Sequence, residues 1–346
     1  MQPYGQPENS TKHLKINYLP TISIRVSTFS HMKSDHLNAR IVQIDVNNVG
    51  QRIDNFLMTQ LKGVPRSHIY QLLRSGQVRV NSGRKKPLYK LKLDDKVRIP
   101  PARINSGKNT TIPDSVIILI KESILFENDD LMVINKPSGI AVHSGSGLTF
   151  GIIEALKQQY PGQFLELVHR LDRETSGCLI IAKNRISLTK LHDLFRDEIR
   201  TGIGKYYLAL VEGQWQGIST IDAPLKKTMR SGEHVVEVSD EGKHAVSHFE
   251  AKKIYPQSSL MEIKIETGRT HQIRVHANHA GHPVAGDKKY GNRTYNQMLK
   301  KLGLKRLFLH ASRIELPGLN PTSNKPLIVK APLGDELQQV LKKLDS

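Results

Sequence analysis

The sequence predicts an α+β fold, in which a small N-terminal domain precedes a larger domain built on a largely antiparallel mixed sheet with flanking helices. The chain has 346 residues, and a domain typically spans roughly 100–200 residues, so two domains fit best. Apolar residues make up 38% of the chain, which is enough for a sizeable core. Strand-like runs in the C-terminal two thirds do not alternate regularly with helical stretches, which argues against a doubly wound parallel sheet.

The larger domain is expected to contain many strands and few helices. Helical stretches are predicted chiefly at residues 150–159 and 186–195. Strand-like runs recur throughout, and they include residues 131–134, 178–182, 207–211, 261–265 and 307–309.

Composition divides the chain into four segments. Residues 1–40 mix Pro, Ser, Thr, Asn and His without a sustained period, and we interpret them as a disordered extension. Residues 41–100 are expected to form the small domain, residues 101–114 a polar linker, and residues 115–340 the large domain. Met32 lies just before the first strand-like run, so we hypothesise that translation starts there in the cell.

Positive charge is concentrated in the small domain. The formal net charge is +19, and residues 50–110 alone carry 14 Lys and Arg against three Asp and Glu, a net +11. Such a surplus favours a polyanionic partner, most often nucleic acid, with a membrane surface as the rival. No apolar run of about 18 residues predicts a transmembrane helix, and no secretory signal is visible. The single cysteine, Cys178, excludes an internal disulfide, so we expect a cytoplasmic protein.

The basic segment begins with two predicted helices. Apolar residues between Ile53 and Leu61 fall at helical spacing, and Gly63 ends this helix. A second helix is expected to start near Pro65 and to end at Gly76, because proline suits a first turn and glycine a C-terminus. Short strands are predicted nearby, at residues 41–44, 77–81, 89–93 and 97–99.

Basic side chains cluster around the second helix and the turn after it. Such a cluster contacts phosphates without reading sequence. The candidate RNA-binding residues here are Arg66, Arg74, Arg79, Arg84, Lys85 and Lys86. The segment between residues 50 and 87 resembles the S4 RNA-binding domain, which implies an RNA partner but no particular reaction.

A candidate catalytic loop lies at residues 169–177, with the sequence HRLDRETSG. Asp172 stands between Arg170 and Arg173, and the neighbouring cations favour its ionised form. An ionised, positioned carboxylate can serve as a nucleophile or a base. A structural Arg–Asp network that closes the loop explains the same residues equally well.

Metal and nucleotide sites are weakly supported. The four histidines between residues 271 and 282 could suggest a metal, but Arg269 and Arg274 in the same stretch would repel a cation, and we expect none. Glycines at residues 145 and 147 fail the spacing of a dinucleotide-binding loop, because the next glycine is Gly151.

Five motifs in order make the large domain resemble the RluA family of pseudouridine synthases, and with the S4-like segment the resemblance spans residue 42 to about 340. The loop HRLDRETSG is the most distinctive of them. The others are NKPSGIAVHSG at residues 135–145, GKYYLALVEG at 204–213, TGRTHQIRVHANHAGHPVAGDKKYG at 267–291 and RLFLHA at 306–311.

The resemblance implies roles for three catalytic residues. Asp172 is the expected catalytic carboxylate, which either attacks the sugar or base or abstracts a ribose proton. Tyr207 is expected to stack on the uracil, with Tyr206 as the alternative one residue away. Arg274 is expected to pair with the aspartate, and Arg269 is a weaker candidate for that partner.

The same resemblance implies substrate contacts near the catalytic loop. Arg170 is expected to occupy the space that the flipped nucleotide leaves, and Leu309 to pack under the base. Arg173 and Arg269 complete the expected RNA contacts of the large domain. Without the resemblance, Tyr207 and Leu309 would be interpreted as ordinary core residues.

The resemblance further implies that the protein isomerises specific uridines in 23S ribosomal RNA of the large subunit, without a cofactor. The expected partner is this RNA or a large-subunit assembly intermediate, and the expected state is a monomer away from membranes. Three alternatives stay open. They are a transfer-RNA pseudouridine synthase, a non-catalytic S4-domain assembly protein that would lack Asp172, and a glycosidase with Glu174 as its second acid.

Overall fold

The computed structural model describes residues 36–61, 63–103, 112–144, 150–196, 201–230, 232–319 and 325–346. Four expectations lie largely outside these ranges: the disordered extension up to residue 35, the start at Met32, most of the linker and the glycines at residues 145 and 147. Among the described residues, no helix is both long and apolar enough to cross a bilayer.

The small N-terminal unit packs two helices on one face of a three-stranded sheet. Its strands are β1 (His36–Leu37), β2 (Arg40–Gln43), β3 (Arg79–Val80), β4 (Lys96–Ile99) and β5 (Ala102–Arg103). Its helices are α1 (Ile53–Gln60) and α2 (Arg66–Arg74). The sheet order is β2-β4-β3, antiparallel throughout, and β1 pairs separately with β5. Apolar side chains such as Phe56, Ile69 and Val97 are buried between the helices and the sheet.

Two local expectations for this unit need correction. Residues 89–93 do not form a regular strand: the backbones of Tyr89 and Leu91 instead bond to residues 50–53. The strand pair β1–β5 lies within stretches assigned to the extension and the linker, so regular structure begins before residue 41 and continues past residue 100.

The large unit is built on one ten-stranded mixed sheet. Its helices are α3 (Asp114–Glu122), α4 (Ile152–Gln159), α5 (Arg185–Arg196), α6 (Gln272–His279), α7 (Arg293–Lys301) and α8 (Asp335–Asp345). The first strands of the unit are β6 (Ile124–Glu127), β7 (Leu131–Lys136), β8 (Glu166–Leu167), β9 (Ser176–Ala182), β10 (Gly204–Glu212) and β11 (Ile218–Asp222). The remaining strands are β12 (Leu225–Arg230), β13 (Glu233–Val238), β14 (Val246–Tyr255), β15 (Ser258–Ile265), β16 (Leu309–Leu316) and β17 (Leu327–Lys330).

The sheet order β11-β14-β15-β10-β16-β9-β7-β6 contains one parallel pair, β16 with β9, and the other pairs are antiparallel. Strands β8 and β17 extend it, and β12–β13 form a separate hairpin. This arrangement confirms the predicted α+β class with a largely antiparallel mixed sheet. The parallel pair joins the two halves of the sheet, and because its strands run the same way, both begin at the same edge.

A glycine fixes the contact between these two halves. Gly177 lies opposite Ala311 in the parallel pair and has φ of +109°, a conformation that favours glycine. A Cβ atom at this position would lie 2.2 Å from the carbonyl oxygen of Ala311. The backbones of β9 and β16 can therefore approach each other only without a side chain at residue 177.

Replacing this glycine should destabilise the large unit. We expect Gly177→Ala to lower the free energy of unfolding by about 3 kcal/mol, because the added methyl both strains φ and overlaps backbone. Urea unfolding measures the change. The matched control is Gly334→Ala before α8, where φ is −64° and no atom lies within 4 Å of the new Cβ. Equal stability of the two variants would contradict the packing argument.

Candidate active site

A cleft opens where the two halves of the sheet meet. Six of the residues predicted for the site in the large domain line it, namely Arg170, Asp172, Tyr207, Arg269, Arg274 and Leu309. Side chains from strands β10 and β16, helix α6 and the loop before β9 thus converge on one space.

The loop that carries Asp172 is tied to residues 136–140. Lys136 is fully buried, and its ammonium donates hydrogen bonds to the carbonyl oxygens of Pro137, Ile140 and Arg173, at 2.8 to 3.1 Å. Burial lowers the pKa of Lys136 to about 7, and the carboxylates of the loop partly offset this. We assign the charged form, because only an ammonium has a proton for each of three acceptors.

The loop is also anchored at both of its ends. At its start, the half-buried imidazole of His169 accepts a hydrogen bond from the N–H of Ile180, and desolvation lowers its pKa to about 3. At its end, Ser176 donates to Nδ1 of His310 at 2.9 Å, and Nε2 of His310 donates to the carbonyl of Ala331. This Ser–His pair resembles an activated nucleophile, but both residues are buried, so it serves to hold the loop.

Arg274 joins two carboxylates. Its Nε and Nη2 donate to Asp287 at 2.7 and 2.9 Å, and its Nη1 lies 3.4 Å from Oδ2 of Asp172. Burial opposes the charge on Arg274, but Asp287 and Asp172 raise its pKa above the ordinary value. Arg269, the weaker candidate for this role, is turned away and donates to the carbonyl of His244.

Asp287 fixes the position of Arg274. Its carboxylate is completely buried and accepts the N–H groups of Lys289 and Tyr290 in addition to the guanidinium. Burial alone would raise the pKa of Asp287, but Arg274 and these N–H groups lower it below its usual value. Asp287 is not among the residues that the sequence predicts for the site. Its spacing of 13 residues from Arg274, outside any helix period, gave no signal of the contact.

Tyr207 and Leu309 form the apolar side of the cleft. Leu309, the first residue of β16, is buried, whereas Tyr207 is half-buried and packs against the cores of both halves of the sheet. The pairing of β10 with β16 shifts by one residue between Tyr206 and Leu208, so the strands are irregular beside the cleft. Tyr206 faces elsewhere, with the guanidinium of Arg313 3.7 Å from its ring centre.

Two arginines of the loop have different surroundings. Arg170 is exposed and lines the cleft. Arg173 instead donates to the carbonyl of Gly139 and lies 3.9 Å from Glu174, outside the cleft lining. Glu174 does not line the cleft with Asp172 either. The pair of facing acids that a glycosidase needs is thus not formed by these two residues.

The predicted histidine group does not converge. Among the described residues, no three His, Cys, Asp or Glu side chains are arranged to hold a metal ion. His276 is buried between Ser247 and the carbonyl of Ala223, and His282 is bound to the carbonyl of Glu212. His271 differs from these histidines because it lines the cleft. Its Nε2 lies 3.8 Å from Oδ2 of Asp172.

The basic residues of the small unit lie on two surfaces. The predicted cluster is exposed except for half-buried Lys85, whose ammonium lies 4.6 Å from the ring centre of Tyr89. On the open face of the sheet, Arg79 stands directly opposite Arg98, and Lys96 lies beside them in β4. Arg98 and Lys96 are not among the RNA-binding residues predicted from the sequence. The alternation of charged and buried residues in Lys96–Ile99 was the signal that could have found them.

The Arg274–Asp287 pair should dominate the stability of the cleft. We expect Asp287→Asn to lower the free energy of unfolding by about 3 kcal/mol at pH 7, because it leaves a buried guanidinium without its anion. Folding lowers the pKa of Asp287. Its stabilising contribution to the free energy of unfolding is therefore fully present above the pKa of an unfolded Asp, about 4, and is lost as the pH falls through the pKa in the folded state. Urea unfolding at pH 7 and pH 3 measures both effects.

The matched control is Glu241→Gln, which removes an exposed ion pair with Lys226 and should cost less than about 1 kcal/mol. If wild type and Asp287→Asn differ in their free energy of unfolding by the same amount at pH 7 and pH 3, the assignment of a negative charge to Asp287 is contradicted.

Comparisons with known proteins agree with this geometry. The family model described as RNA pseudouridylate synthase matches residues 130–279, and the S4 domain model matches residues 51–97. "Ribosomal large subunit pseudouridine synthase C" of Salmonella typhi is 47% identical over 322 residues, 91% of this chain and 99% of the relative. The protein of that name from Escherichia coli strain K12 is 47% identical over 320 residues, 90% of this chain and 99% of the relative.

A solved structure supports the same relationship. "Human RNA Pseudouridylate Synthase Domain Containing 4" superposes with a TM-score of 0.55 and 28% identity, over 67% of this chain and 96% of the human one. The two relatives that are 47% identical over 90% or more of this chain, together with the two domain models matched in order, confirm both resemblances seen in the sequence. The chain belongs to the family of RNA pseudouridine synthases, with an S4 domain at its N-terminal end.

Proposed function

We propose that this enzyme converts uridines of large-subunit (23S) ribosomal RNA to pseudouridine, with Asp172 as the catalytic carboxylate. The observation that carries the proposal is the position of Asp172, in the cleft beside Tyr207 and Leu309 and against the mostly buried cation of Arg274. The relatives that match almost the whole chain are named for the large ribosomal subunit, which supports this RNA as the substrate.

The reaction requires no redox partner. The C1′–N1 bond of uridine breaks, the base rotates, and a C1′–C5 bond forms, while the proton on C5 moves to N1. Asp172 acts either as a nucleophile on the sugar or base or as the base that removes a ribose proton, and both routes begin from an ionised carboxylate. Arg274 supports both routes, because it holds the negative charge next to the substrate.

The target uridine leaves the RNA stack to reach this carboxylate. Tyr207 and Leu309 offer an apolar surface on which a flat base can pack. Arg170 lies exposed at the same cleft, where its guanidinium can fill the gap in the stack. Arg173 and Arg269 remain candidates for phosphate contacts, because both are exposed near the loop.

The S4 domain holds RNA outside the reaction centre. Residues 41–100 then act as the binding unit, residues 101–114 as the linker and residues 115–340 as the catalytic unit. The exposed basic cluster around α2 is the first contact surface, and the open sheet face with Arg79 and Arg98 is the second. Like charges directly opposite each other in a sheet are unfavourable without a counter-ion, which a phosphate supplies.

The enzyme is proposed to work as a cytoplasmic monomer on this RNA or on an assembly intermediate of the subunit. A transfer-RNA substrate is the second candidate, because the same cleft accepts any flipped uridine. The presence of Asp172 with its buried partner argues against a non-catalytic assembly protein, since such a protein needs no ionised carboxylate in a cleft.

Removing the charge of Asp172 should abolish the reaction. We expect Asp172→Asn to lower the rate of pseudouridine formation by roughly 10³-fold or more, because neither route has a nucleophile or base left. Pseudouridine mapping of ribosomal RNA from cells that lack the protein, complemented with each variant, measures this. Glu174→Gln is the matched control and should restore modification fully, because this acid lies outside the cleft.

The mapping also tests the substrate. Loss of defined 23S sites that only wild type and Glu174→Gln restore is the expected result. Full rescue by Asp172→Asn would overturn the catalytic assignment. Loss of transfer-RNA sites in place of ribosomal sites would overturn the substrate and leave the chemistry intact.

Neutralising the α2 cluster should weaken RNA binding without changing chemistry. We expect the triple variant Arg66→Gln, Arg74→Gln, Arg84→Gln to flatten the dependence of log K on log salt by about two to three units, because each phosphate contact contributes roughly 0.7–0.9. Filter binding of a 23S transcript across salt concentrations measures the slope. The control is Lys300→Gln, Lys301→Gln on exposed α7, and an equal slope in both variants would contradict the proposed surface.

A further inference from the structure

We propose that His271 is a positioning residue, which donates its Nε2–H to Oδ2 of Asp172 and thereby leaves Oδ1 as the oxygen that meets the uridine. The inference rests on the proposed catalytic role of Asp172. It assigns a function to a cleft histidine that the sequence suggested only as a weak metal ligand.

Both cationic and polar donors near Asp172 approach the same oxygen. Nη1 of Arg274 lies 3.4 Å and Nε2 of His271 lies 3.8 Å from Oδ2. The hydrogen bond that the Asp172 carboxylate accepts from Arg274 is made by this same Oδ2. The two oxygens are therefore unequal before substrate arrives. Contacts of this length in a free enzyme typically shorten in the substrate complex.

The protonation of His271 follows from its second nitrogen. Nδ1 lies 2.8 Å from the hydroxyl of Tyr290, and that hydroxyl oxygen accepts the N–H of Val236 at 3.0 Å. The phenol thus has one proton to donate, and Nδ1 is the acceptor that the structure places in reach. If Nδ1 of His271 carried the proton instead, it could not accept a hydrogen bond, and the hydroxyl proton of Tyr290 would lose its acceptor. We assign the neutral form with its proton on Nε2, which faces Asp172.

Burial supports the neutral form, because it lowers the pKa of His271, and the nearby Asp172 offsets this only in part. A neutral donor stabilises the carboxylate without adding a second full charge. Arg274 already supplies that charge. A second cation next to Asp172 would hold the carboxylate more tightly. It would thereby oppose the attack of the carboxylate on the sugar or base, or its removal of a ribose proton.

The backbone of His271 shows that its position is constrained. It is the residue before α6 and has φ of +56°, which is uncommon for a residue other than glycine or asparagine. Val236, which donates its N–H to the Tyr290 hydroxyl, belongs to the β12–β13 hairpin, and Lys289 also donates to that hairpin, at the carbonyl of His234. The chain Val236, Tyr290, His271 and Asp172 therefore connects the hairpin to the reacting carboxylate.

Two substitutions separate the donor from the rest of the side chain. The amide nitrogen of glutamine reaches the place of Nε2, whereas that of asparagine reaches only the place of Nδ1, and asparagine suits the positive φ. We expect His271→Asn to lower the maximal single-turnover rate on a 23S transcript by roughly 10–100-fold, with the half-saturating enzyme concentration unchanged. His271→Gln should recover most of that loss.

Tyr290→Phe tests the relay. It should lower the rate in the wild-type background but add little in the His271→Asn background, because the donor it orients is already gone. His279→Asn is the control: His279 is exposed at the end of α6, and the variant should leave the rate unchanged. Thermal unfolding of each variant shows whether it folds.

The outcomes separate this inference from the proposed function. A His271→Asn variant that is folded and reacts within twofold of wild type overturns the inference, as does equal loss in the Gln and Asn variants. An Asp172→Asn variant with full activity in the same assay overturns the proposed function itself. Inactive Asp172→Asn together with a slow His271→Asn supports both.

Discussion

The geometry of the cleft depends on one guanidinium that is shared between two carboxylates. Asp287 receives two short hydrogen bonds from Arg274, and Asp172 receives one longer contact. The ion pair with Asp287 therefore offsets most of the desolvation cost of the Arg274 guanidinium, because the opposite charge lies close and both hydrogen bonds are short. The cleft acid benefits from the positive charge but is not locked by it. A catalytic carboxylate needs this balance, since it has to be ionised and still free to move.

The sheet explains why these groups can meet. Asp172 precedes β9, Leu309 begins β16, and Tyr207 lies in β10, so three neighbouring strands at the centre of the sheet supply the site. The parallel pair brings the starts of β9 and β16 to one edge, and Gly177 lets their backbones approach. Irregular pairing next to Tyr207 adjusts the direction of the side chains there. A rigid sheet on both sides holds the loop between fixed anchors.

The sequence predicted the fold class and the residues of the distinctive loop, because both leave local patterns. It did not predict Asp287 or Tyr290, whose importance comes from contacts across 13 and 19 residues, to Arg274 and His271. The expected strand at residues 89–93 failed for a physical reason. Buried Asp95 accepts the N–H of Lys92 and the hydroxyl of Tyr89, and these local bonds replace a regular ladder.

Basic residues in this protein have two different surroundings, and the difference indicates how each group acts. Arg274 is mostly buried and has its own acid, so it stays in place whether or not RNA is present. Arg79 and Arg98 are exposed, stand opposite each other and donate to backbone carbonyls in the small unit. Their mutual repulsion is relieved when an anion lies between them. A phosphate can therefore bind at this sheet face without displacing an internal partner, whereas no phosphate could replace Asp287 without unfolding the cleft.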